Sequence, residues 1–70
     1  MNMASEKLRE IINARGLKQK FIAAKIGITE TALSAMLNGS QKIDIDTFFA
    51  IASVLQMTPD EIYSFKKEVA

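Results

Sequence analysis

The chain has no cysteine and no histidine. Lacking cysteine, it can form neither a disulfide framework nor a thiolate metal site. Lacking histidine, it also has no imidazole general base or ligand. An enzyme would have to be built from carboxylates and lysines, and the sequence holds no cluster of them. The expectation is a protein without catalytic residues, metal or cofactor. Proline is confined to Pro59, near the end, and nothing alternates apolar with polar over any length, so strands are not expected. No apolar run approaches the ~18–20 residues that cross a bilayer. The opening MNMASEKLRE has no apolar signal region. These absences point to a cytoplasmic protein with no membrane partner and no evident small-molecule ligand.

Seventy residues make one domain over 1–70, with a core of about 5–65. So small a core leaves only a few kcal/mol of net stability, so caps and helix packing must be efficient. Net charge is +1. Residues 1–43 carry Lys7, Arg9, Arg15, Lys18, Lys20, Lys25 and Lys42 against Glu6, Glu10 and Glu30, a balance of +4. Residues 44–70 carry Lys66 and Lys67 against Asp44, Asp46, Asp60, Glu61 and Glu68, a balance of −3. A basic front and an acidic back suit a protein that meets a polyanion with one side.

Helical punctuation recurs five times, and the predicted fold is all-α. Ser5 is placed to cap a first helix with the apolar stripe Leu8, Ile11 and Ile12, stopped by Gly16. Leu17 leads into a second helix that Gly27 ends. Thr29 caps a third, closed by Asn38-Gly39, and Ser40 to Ile43 form a loop. Asp44 caps a fourth helix with apolar positions Ile45, Phe48, Ile51, Ala52 and Leu55, and Asp46 adds negative charge to its first turn. Thr58-Pro59-Asp60-Glu61 opens a fifth with Thr58 as cap, Pro59 as first helical residue and Glu61 closing a capping box. Met57 and Ile62 are spaced for a hydrophobic staple.

The most specific spacing lies in QKFIAAKIGITETALSAML, residues 19–37. Ala23 is small enough for two helices to approach closely, and Gly27 tolerates the positive φ of a tight turn. Ile22 and Ile26 face the core, Ile28 plugs the turn, and Leu33 and Met36 bury the inner side of the following helix. That arrangement is a helix-turn-helix, in which the second helix stands outward to enter a DNA groove.

With these residues in view, 7–63 resemble the helix-turn-helix domain of Cro and phage-repressor type, the XRE family. The matching stretches are LKQKFIAAKIGITETALSAMLNG and, after a short loop, IDIDTFFAIASVLQMTPDEIY. The resemblance implies a lambda-repressor-like five-helix bundle that binds double-stranded DNA, commonly as a two-fold dimer on a palindromic operator, and regulates transcription in a bacterial or phage setting. It implies a recognition helix over 29–38. By that likeness Gln19 bonds a phosphate and braces the recognition helix, while Thr29, Glu30 and Thr31 lie at its amino end. Ser34 and Ala35 follow one turn later, and Asn38 with Gly39-Ser40-Gln41-Lys42 meets the second phosphate strand. Lys18, Lys20 and Lys42 are positioned to flank the duplex and add salt-sensitive affinity.

The chain departs from the family pattern in places. Lys18 stands where Ser or Thr usually caps, Gln56 stands where glycine commonly ends the fourth helix, and Phe21 occupies a usually polar position. The recognition face holds no arginine for guanine and no glutamine for adenine, so DNA shape is expected to contribute to selectivity. Phe48 and Phe49 cannot share one stripe; Phe49, with Tyr63 and Phe65, is the expected homodimer surface, although Tyr63 and Phe65 could equally fold back on the core. A different class of function also remains open: an interaction module whose outward helix meets a protein, favoured by Glu30 amid an otherwise uncharged face.

Overall fold

The computed structural model describes residues 3–66. Five helices follow in order: α1 Met3–Ala14, α2 Gln19–Ile26, α3 Glu30–Leu37, α4 Ile45–Leu55 and α5 Pro59–Ser64. No strand occurs among the described residues. They wrap a core in which Leu8, Ile11, Ile22, Leu33, Leu37, Ile51 and Ile62 are fully buried, with Ile12, Ala23, Ala52 and Leu55 nearly so. Burying one such aliphatic side chain stabilises the fold by ~1.5–3 kcal/mol. Leu37, which the sequence pattern did not single out, completes the inner side of α3 one turn after Leu33, alongside buried Met36. Ile26 and Ile28 pack half-buried against this core.

The helix ends follow the local chemistry. Thr29 Oγ1 accepts from the Ala32 N–H at 3.0 Å, and the Asp44 carboxylate accepts from the Thr47 N–H at 2.7 Å. The capping box of α5 is complete: Glu61 N–H donates to Thr58 Oγ1 at 3.2 Å and Thr58 N–H to Glu61 Oε1 at 2.8 Å. Met57 packs half-buried on the core that contains Ile62. Lys18 gives α2 no side-chain cap. Gly16 (φ +66°) and Gly27 (φ +78°) end α1 and α2 in the left-handed region. A Cβ at Gly27 would meet no atom within 4 Å, so the turn needs glycine for its φ and not for space.

Two expectations from the sequence are overturned here. Ser5 does not cap α1; it lies inside the helix and is 1% exposed. The stripe runs back one turn from Leu8 and Ile12, so a small residue at this position packs inward and the helix continues to Met3. Ile45 does not join the apolar stripe of α4 and is 69% exposed. Burial along that helix fades from Leu55 through Phe48, and Ile45 sits where α4 has run past the core.

The charge pattern also resolves differently from a uniform basic front. Two cations of α1, Lys7 and Arg9, and Arg15 in the turn just after it donate to the carbonyl ends of other helices. Lys7 Nζ reaches Phe65 O, just past α5, at 2.7 Å. Arg15 Nη1 reaches Leu55 O of α4 at 2.7 Å, and Arg9 Nη1 reaches Leu37 O of α3 at a longer 3.5 Å. A cation at a helix carboxyl end is stabilised by the dipole and by unpaired carbonyls. α1 and the turn that follows it therefore tie together the ends of three neighbours, and these charges are held by the fold. Among the described residues, no helix is long and apolar enough to cross a membrane.

Candidate nucleic-acid interface

The α2–α3 pair is joined through Gly27-Ile28-Thr29. The Ile28 N–H bonds Ala23 O at 3.0 Å, closing the turn onto α2. Because Leu33, Met36 and Leu37 are buried, the opposite side of α3 faces outward. Glu30, Thr31 and Asn38 are exposed there, and Ser34 and Ala35 are partly so. Nothing else in the described molecule covers this side.

Seven of the predicted contact residues line one shallow depression of about 480 Å³: Gln19, Glu30, Thr31, Ser34, Ala35, Asn38 and Ser40. The turn places Gln19, the first residue of α2, against the outward side of α3. The segment after α3 is wound back onto the helix. Ser40 N–H and Gln41 N–H both donate to Ala35 O, at 3.0 and 3.2 Å, and Ser40 Oγ donates to the same carbonyl at 3.2 Å. Gly39 (φ +83°) allows this reversal. Ser40 therefore has its hydroxyl hydrogen engaged within the fold.

Lys18, Lys20, Thr29, Gln41 and Lys42 are exposed but do not line the depression. The three lysines carry exposed positive charge outside it. Thr29 is engaged as the α3 cap. Glu30 is the sole charged residue lining the depression. The Cβ positions of Thr31 and Ala35 are four apart and share a helix face. The depression thus offers one carboxylate, two amides, hydroxyls and small methyl-bearing side chains, which suit base edges better than phosphates.

Phe21, on α2, is 49% exposed and carries Lys25 Nζ 5.5 Å from its ring centroid, a cation–π contact one turn along the helix. The three aromatics expected at a pairing surface separate. Phe65 packs half-buried on the core, whereas Phe49 and Tyr63 are about half exposed. Both line a second, apolar groove with Met3, Ala4, Ile43, Ile45, Phe48 and Pro59. The sequence did not reveal that groove, because its walls come from the starts of three helices distant in the chain.

A glycine-ended helix, a closed turn and a capped helix with a bare outward side define a helix-turn-helix domain. A family model described as helix-turn-helix matches residues 8–62. The chain belongs to this family, the helix-turn-helix proteins of Cro and phage-repressor type, a DNA-binding and non-enzymatic domain of transcription regulators. No curated protein matches the chain, and no solved structure matches it.

Proposed function

We propose that this DNA-binding regulator is a sequence-specific repressor whose α3 enters the major groove, with two copies seated on a palindromic operator in a bacterial or phage setting. The observation that carries this reading is the open depression joining Gln19 of α2 to the outward residues of α3 and to Ser40. One eight-residue recognition helix reads few base pairs, so two copies with half-sites ~34 Å apart would supply the discrimination that one lacks.

In this arrangement the Gln19 amide bonds a phosphate and holds α3 in register. Lys18, Lys20 and Lys42 contact phosphates on the flanks and set much of the affinity. Glu30 accepts from cytosine N4, and the methyls of Thr31 and Ala35 meet thymine methyls. Asn38 and Gln41 complete the contact to the second strand. Repression follows from occupancy of the site.

Selection of bound duplexes from a random pool tests the whole reading. The expected product is an inverted repeat with one helical turn between half-site centres; an unenriched pool refutes it. The alternative, a protein-facing α3, is favoured by the one carboxylate and absence of cations in the depression. Random-duplex affinity across a salt series separates the two, because only phosphate contact gives a steep log–log slope.

A further inference from the structure

The groove beside Phe49 belongs to neither helix of the DNA-binding pair. Its walls are the amino ends of α1, α4 and α5, through Met3, Ile45 and Pro59, together with Phe49 and Tyr63 farther along. Five large apolar side chains are conspicuously exposed among the described residues, and four of them (Met3, Ile45, Phe49 and Tyr63) gather here. Apolar surface so concentrated marks a contact site more often than scattered exposure does. The cavity measures about 460 Å³, room for the apolar anchors of a helical segment.

Charge selects the occupant. Each helix that starts at this groove brings acids in its opening turns: Glu6 on α1, Asp44 and Asp46 on α4, Asp60 and Glu61 on α5. Asp44 and Glu61 are held by backbone N–H groups as caps. Glu6, Asp46 and Asp60 are exposed and form no ion pair among the described residues. Two cations close to them in sequence, Lys7 and Lys42, form no ion pair with these three acids. Lys7 is bonded to the Phe65 carbonyl and lies 3.9 Å from Glu10, and Lys42 is exposed on the loop between α3 and α4. A second copy laid on this groove about a two-fold axis would bring like charges together, and a duplex would be repelled. A segment with apolar anchors and flanking lysines or arginines meets both the floor and the rim.

We propose that this acid-rimmed apolar groove binds a cationic amphipathic helix of another protein. The depression on α2 and α3 shares no lining residue with the groove, so the peptide and a duplex can be held together.

The test titrates the full chain against a labelled synthetic helix with leucines at i, i+3, i+4 and i+7 bordered by lysines, and against its glutamate-bordered twin. The lysine form should bind at least about tenfold more tightly than its twin at low salt and lose that preference at high salt. Ile45→Ala with Phe49→Ala should weaken it by about tenfold or more, as loss of central apolar anchors does. Asp46→Asn with Asp60→Asn should weaken it about threefold to tenfold, the scale of two exposed charge pairs. Random-duplex affinity should be unchanged in Ile45→Ala with Phe49→Ala and no weaker in Asp46→Asn with Asp60→Asn, which also shows that both remain folded. Equal affinity for the twins, no binding of either, or indifference to Ile45→Ala with Phe49→Ala overturns the proposal. So does sedimentation that finds paired copies parted by that variant, since a second copy would then be the occupant. The comparison of twins uses the unaltered protein and stands whether or not a variant folds.

Discussion

Gln56 takes the left-handed conformation, φ 57° and ψ 43°, at the end of α4, the lone non-glycine with positive φ among the described residues. An L side chain in that region costs ~1–2 kcal/mol. Gln56→Gly relieves the strain and loses some of the gain to the looser unfolded chain, so a net stabilisation of about 0.5–1 kcal/mol is expected. Thermal unfolding should show it as a rise of a few degrees. Gln19 poses a different single-residue question, because it is half-buried at the start of α2 and lines the depression together with the outward residues of α3. Gln19→Ala should weaken binding to every duplex to a similar degree, while Glu30→Gln should shift the selected base from cytosine towards adenine. Parallel selections with the two variants check this, and a base change in the Gln19 variant would contradict it.

At the scale of the helix, stability depends on ends as much as on the apolar stripe. α5 has only six residues, too few to persist alone, yet its reciprocal capping box and buried Ile62 hold it in place. Thr58→Ala should cost about 1 kcal/mol, read as a lower urea midpoint with an unchanged slope. Asp44 brings a pH dependence. The hydrogen bonds from Thr47 hold its carboxyl below the usual aspartate range. The folded form therefore binds a proton less readily than the unfolded chain, and stability rises with pH between the two values. The contribution is complete above the ordinary aspartate range and disappears as pH falls through the depressed one. Asp44→Asn keeps a capping oxygen but should flatten that acid limb; an unaltered acid profile would exclude Asp44 as its source.

For the whole molecule the deciding quantity is where the positive charge stands. Lys7, Arg9 and Arg15 close helix ends, whereas Lys18, Lys20 and Lys42 are exposed beside the α2–α3 depression. Removing one of these three exposed lysines should lower the log–log salt slope of duplex binding by up to about 0.9. Arg15→Met should leave that slope in place and lower stability by about 0.5–1 kcal/mol through the lost contact at the α4 carboxyl end. Salt series and thermal melts on the same proteins separate the two classes. Equal slopes for both would mean that position on the fold does not matter and that net charge alone sets the affinity.

Sequence alone determined the helices and their order, because the signals are local: Gly16 and Gly27 at positive φ, Thr29, Asp44 and Thr58 as caps, and a periodic apolar stripe need no distant partner. The spacing from Ala23 to Met36 also determined the turn and the outward side of α3. Ser5 and Ile45 show where local rules fail, since whether a helix turn lies over the core or beyond it depends on the neighbouring helices. Tertiary structure alone decided which cations of the first fifteen residues close helix ends, why Phe65 turns inward while Phe49 and Tyr63 stay exposed, and that three amino ends enclose one acid-rimmed groove. Those outcomes depend on contacts between residues tens of positions apart, and packing sets them by excluding water where helices from distant parts of the chain meet.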